Sequence, residues 1–147
     1  MIHLGTITTA LTELLRKNPD LIDLQARVDE AEYANQNPDN TPWIGVYDAR
    51  KVYDPRTLGR HSTAWQGQVN LTVVVQYASF KDGKDARDGL EKILEAVEAA
   101  ITADVRLDGT VDRVTGLEVD YAFRREEFER AYFREGVITI EAEVATG

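Results

Sequence analysis

Residues 65–79, WQGQVNLTVVVQYAS, constrain this chain more than any other stretch. Trp65, Val69, Leu71, Val73, Val75 and Tyr77 share one parity, and Gln66, Gln68, Asn70, Thr72 and Gln76 share the other, with Val74 the large apolar intruder on the polar side. Side chains of a strand alternate faces with a period of two, so the stretch predicts a long strand with one dry and one wet face. The wet face carries neutral amides and a hydroxyl. Such groups suit a half-buried contact that hydrogen-bonds without desolvating a charge, although the open face of an ordinary antiparallel sheet can carry them too. A dry face of that length needs a cover, and residues 82–103 supply one. Ala86, Leu90, Ile93, Leu94, Val97, Ala100 and Ile101 form one helical stripe behind a start at Asp82. Burying each of the large members contributes about 1.5–3 kcal/mol. The candidate charge pairs Lys84–Asp88, Arg87–Glu91 and Asp88–Lys92 contribute at best ~0.2–0.5 kcal/mol each.

The remaining elements are fainter. Ile7, Leu11, Leu14 and Leu15 predict a helix near 6–17, with Thr6, Thr8 or Thr9 as N-cap and Asn18-Pro19 as the stop. In LIDLQARVDEAEYAN the alternation of Ile22, Leu24, Ala26 and Val28 competes with helix-forming Glu, Ala and Gln; a strand at about 23–33 is favoured. NQNPDNTP at 35–42 is a loop, and TPWIGVYDA a short strand. From about 49 to 64 the apolar period vanishes, which predicts a long loop, a hidden hairpin being the alternative. Leu117, Val119, Tyr121 and Phe123 predict one late strand and Tyr132, Ile138, Ile140, Ala142 and Val144 another, linked through RREEFER and paired antiparallel. The expected fold class is α+β: a single domain over 1–147, with a mostly antiparallel sheet of about 4–5 strands and two α-helices packed on one face.

Composition narrows the function. A chain of 147 residues buries roughly 70% of its unfolded surface and folds without staples. It has no cysteine, which removes disulfides, thiolate chemistry and Cys-ligated zinc. No stretch approaches the ~20 apolar residues of a bilayer span, and the first residues lack the layout of a secretory signal. The expectation is a cytoplasmic product that does not engage a membrane. Net charge is −9, from 26 acidic and 17 basic residues. That balance repels polyphosphate and argues against a sequence-independent grip on nucleic acid, while leaving room for DNA to slide past.

Reactive groups are scarce. The serines are Ser62 and Ser79 and the histidines His3 and His61, with no nucleophile elbow around either serine. Asp104, Asp108 and Asp112, or Asp82-Gly83-Lys84-Asp85, make poor cation sites, since Gly109 breaks the first spacing and the second has too few ligands. Glu118/Asp120 and Glu141/Glu143 could do acid–base work, but i,i+2 spacing sets each pair on the solvated face of a strand. The expectation is no enzyme, no cofactor and no metal. Two interaction candidates remain: the locally basic segment with Arg50, Lys51, Arg56 and Arg60, and the amide face with Gln66, Gln68 and Asn70.

The layout as a whole resembles a known family. The N-terminal helix ITTALTELLRKN precedes PWIGVY, a long bridging segment, WQGQVNLTVVVQYAS, the Asp-led DGKDARDGLEKILEAVEAAI and a strand pair ending in ITIEAEV. This order, over about residues 5–145, resembles the tail-terminator (tail-completion) proteins of long-tailed bacteriophages of the lambda-like type. The resemblance implies a non-enzymatic virion protein that assembles with copies of itself as a hexameric ring on the last ring of the tail tube. There it stops polymerisation and provides the head-joining surface. It further implies the tail-tube protein and the head–tail connector protein as partners, with DNA only as passing cargo. Localisation would be the virion tail, reached from the host cytoplasm during assembly. Segment 50–61 and Arg124/Arg125 are then expected to contact neighbouring rings or subunits.

Overall fold

The strand expected at 65–79 is the centre of a five-stranded sheet. The computed structural model describes the backbone of residues 2–57, 63–128 and 130–146, with side chains described except at 54–57, 63–66, 122, 145 and 146. In chain order the elements are α1 (Leu4–Arg16), α2 (Pro19–Asp23), β1 (Arg27–Glu30), β2 (Trp43–Thr57), β3 (Thr63–Ser79), α3 (Gly83–Ala103), β4 (Arg113–Phe128) and β5 (Ala131–Thr146). The sheet order is β1-β2-β3-β5-β4, with β1 parallel to β2 and every other pairing antiparallel. The fold is α+β, as expected.

One face of the sheet holds the main core. Val69, Leu71, Val73 and Val75 of β3 join Ile138, Ile140 and Ala142 of β5 and Ile44 and Val46 of β2 beneath the stripes of α1 and α3. On α3 the buried set is Ala86, Leu90, Ile93, Leu94, Val97, Ala100 and Ile101, the stripe read from the sequence. Asp82 caps that helix by accepting a hydrogen bond from the Asp85 N–H. Gly89 lets α3 approach the sheet closely, since any Cβ there would overlap the Tyr77 ring.

Four expectations are corrected. The segment 49–64 is not a long loop: β2 runs to Thr57 and β3 begins at Thr63. The apolar period fails there because a bulge between Asp48 and Arg50 inserts one residue and exchanges the faces. Before it, Ile44, Val46 and Asp48 face the helices; after it, Lys51 and Tyr53 do, opposite Val69 and Gly67. The strand favoured at 23–33 is only the four residues of β1, preceded by α2, because Asn18-Pro19 acts as N-cap and first residue of a new helical turn. The threonines proposed as N-caps lie inside α1, where Thr8 and Thr12 donate to the carbonyls of Leu4 and Thr8. Finally, β4 and β5 are longer than read: β4 continues through Arg124 and Arg125 to Phe128, and an irregularity between Asp120 and Arg124 breaks the expected parity of Tyr121 and Phe123.

Candidate interaction surfaces

The opposite face of the sheet is not simply wet. At its lower end Trp43, Val74 and Phe133 are buried together with Gln76 and Glu135. Cross-strand pairing sets Gln76 beside both Trp43 and Glu135. Gln76 Nε2 donates to Glu135 Oε2 at 2.6 Å and to the Asn35 carbonyl at 3.0 Å, and its Oε1 accepts from Asn35 Nδ2 at 3.0 Å. The loop at 31–42 thus closes over this half of the face. Trp43 folds across Gly45, where a Cβ would collide with the indole, and donates to Asp29 Oδ2 at 2.8 Å. Arg124 stacks on the Phe133 ring at 4.9 Å and grips Glu126 with two hydrogen bonds of 2.9 Å. Those bonds raise the guanidinium's pKa and hold the Glu126 carboxyl below the usual carboxylate range. The Tyr47 hydroxyl is buried with no hydrogen-bond partner among the described residues; burial first and Glu135 second push its pKa upward.

The upper half of the same face stays half-open. Gln68, Asn70 and Thr72 on β3 stand opposite Glu143, Glu141 and Thr139 on β5, all described as half-buried or exposed. Arg50 is exposed beside Asn70, and a flipped Asn70 amide would accept from its Nε at 3.2 Å. Gln66 belongs to this strand by its backbone, but its side chain lies outside the described residues, as does that of Arg56. Arg60, His61 and Ser62 lie outside the described residues altogether.

Among the described residues the predicted cations are dispersed. Lys51 faces the helix side and donates to the Ile2 carbonyl at 2.9 Å, tying down the N-terminal segment instead of reaching outward. Arg124 is committed to Glu126 and Phe133. Arg125 is exposed and lines a cavity of about 310 Å³ with Lys84, Arg87, Leu90, Tyr121 and Arg134. Sequence reasoning missed that Lys84, Arg87 and Arg134 converge there. It assigned Lys84 and Arg87 to i,i+4 pairs, whereas the ion pair found on α3 among the described residues is Arg87–Asp88 at 3.4 Å.

The sheet also ends in two open edges. Among the described residues, β1 covers only Trp43–Val46 of β2, so the distal part of β2 has β3 on one side and no strand on the other. β4 pairs, among the described residues, with β5 and no other strand, along nearly its whole length. Among the described residues no group of three or more His, Cys, Asp or Glu side chains is arranged to hold a metal ion. Glu118, Asp120 and Glu141 are exposed and Glu143 half-buried. No helix among the described residues is long and apolar enough to cross a membrane.

No protein-family model matches the chain, and no curated protein does. Among solved structures it is similar to a chain of the "Virion of native gene transfer agent (GTA) particle", at 12% identity and a TM-score of 0.43, over 95% of this chain and 94% of that one.

Proposed function

We propose that this chain is a structural assembly protein that caps the end of a phage-type tail tube as a ring, stops its growth and offers the surface to which the head is joined. The observation that carries this reading is the pair of open sheet edges. Among the described residues, distal β2 and most of β4 have no neighbouring strand on one side, and such edges are templates for another chain. The half-open amide face between these edges supports the same reading, because it can meet a neighbour without desolvating charge.

The reading gives the chain no catalytic role. Its partners are copies of itself, the tail-tube protein and the head–tail connector, in a virion tail assembled in the host cytoplasm. The −9 charge suits a ring through which DNA passes without sticking. The order of elements that resembles tail terminators separates this assignment from a generic assembly part. A tube subunit or another connector component is the alternative, and its assembly behaviour differs. A heterologous contact that closes gives a ring; one that does not close gives a filament.

The test is electron microscopy of the purified protein, alone and with tail tubes from the same particle. Closed rings, seated at tube ends and blocking further subunit addition, are the expected result. Long cylinders of the pure protein, or tubes that keep growing in its presence, would overturn the assignment.

A further inference from the structure

Part of the charge on α3 runs against the helix's own dipole. Lys84 and Arg87 occupy the first two turns, at the positive end, while the C-cap is Asp104 and the last turn has no basic side chain. Each placement works against an isolated helix. Asp82 and Asp85 run the favourable way, and both are engaged internally, with the Asp85 N–H and the Ser79 hydroxyl respectively. The sheet compounds the imbalance. Arg125 and Arg134 face each other directly across the β4–β5 ladder, a like-charge pair that disfavours the pairing. These two join Lys84 and Arg87 around the 310 Å³ cavity, beside half-exposed Tyr121.

The far end of α3 is the counterpart. Asp104 and Asp108 line a second cavity, of about 330 Å³, with Glu13, Lys17 and Pro19, and α2 adds exposed Asp20 and Asp23. Lys17, Arg106 and Arg16, the last paired with Glu13 at 2.9 Å, are the cations there, and they leave the carboxylates in excess. Fully buried Leu107 anchors the loop, and Asp104 Oδ2 accepts from the Asp108 N–H at 2.9 Å, so the anions are held in place. Exposed apolar side chains accompany both ends: Tyr121 and Phe123 near the basic one, Ile22 and Val105 near the acidic one.

Asp88 pairs with Arg87 and Glu98 accepts from Tyr121, yet Lys84, Arg125 and Arg134 remain around the first cavity and carboxylates around the second. The two surfaces therefore differ in sign and complement each other between copies. We infer that the Lys84, Arg87, Arg125 and Arg134 surface of one copy receives the Asp20, Asp23, Asp104 and Asp108 surface of the next. The contact is head-to-tail, the kind from which rings are built. It relieves the like-charge repulsion within each surface and covers the apolar side chains beside it. This inference rests on the ring assembly proposed above and names its contact.

Two charge-reversed proteins test it: Arg87→Glu/Arg125→Glu and Asp20→Arg/Asp23→Arg, all at exposed positions. Sedimentation velocity of each alone should show self-association weakened about ten-fold or more relative to the wild-type chain. An equimolar mixture of the two should recover it, because each altered surface then meets its complement. The chain has no cysteine, so Arg125→Cys and Asp23→Cys give an independent readout: oxidation of the mixture should yield the mixed disulfide faster than either homodimer. Association unchanged by both reversals, or a mixture no better than its components, would overturn the contact. So would a wild-type chain that stays monomeric at millimolar concentration while the Arg125→Cys and Asp23→Cys proteins give no mixed disulfide. Rings that persist in both reversed proteins would sink this contact and leave the capping function standing. Tubes that go uncapped by a protein whose mixed disulfide forms would do the reverse.

Discussion

On the helix side of the sheet, Leu71, Val73, Ile138 and Ile140 meet α1 and α3 through apolar contact. On the other side, Trp43, Val74 and Phe133 are nearly as dry, but they share their cover with Gln76 and Glu135. The first face needs volume and little else, since hydrophobic burial has no direction. The second needs particular partners, because each polar atom taken from water must find a bond where it lands. One strand, β3, serves both: its odd positions build a core that tolerates exchange, and its even positions build one that depends on a specific set of side chains.

The largest expected effect tests whether the second face is a core at all. Phe133→Ala should cost about 3–5 kcal/mol, comparable with the about 2–5 kcal/mol expected for Leu94→Ala on the buried face of α3. Urea denaturation of both variants reads this directly, and a loss below about 1 kcal/mol for Phe133→Ala would reduce the second face to a surface patch. Next comes the directional claim. Gln76→Leu keeps the volume but removes a hydrogen-bond partner from Asn35 and from Glu135, which keeps Arg124 at 3.9 Å, for an expected loss of about 1–3 kcal/mol. Leu71→Met on the helix face should cost less than about 1.5 kcal/mol. Equal losses for the two would erase the distinction.

The smallest effect has the opposite sign. The Tyr47 hydroxyl is buried with no partner among the described residues, so Tyr47→Phe should stabilise the fold by about 1 kcal/mol. The pH dependence follows from the raised tyrosine pKa. The unfolded chain ionises at the ordinary value of 10.0, and the folded one holds its proton longer. This contribution is intact below pH 10 and is lost as pH rises through the folded pKa. The phenylalanine variant should therefore lose stability less steeply in alkaline titrations. Tyr77, raised by burial and then by Asp85, keeps part of the slope in both proteins. Identical alkaline profiles would show that Tyr47 reaches water.

Amino-acid order was enough for the elements whose pattern is local and uninterrupted. The β3 alternation, the α3 stripe and its Asp82 cap, and the α+β class are legible because a period of 2 or 3.6 survives wherever one face is buried without a break. Tertiary structure alone decided what depends on register or on neighbours distant in the chain. The bulge at Asp48/Arg50 swaps the faces of β2, so its basic half reads as a patternless loop, and the irregularity after Asp120 hides the continuation of β4 in the same way. The same holds for the interaction residues. Lys51 and Arg124 look free in the sequence and are bound in the fold, while Lys84, Arg87, Arg125 and Arg134 are scattered along the chain and converge in space. Charge carries no period, and a side chain's partner is set by whichever strand or helix packs beside it.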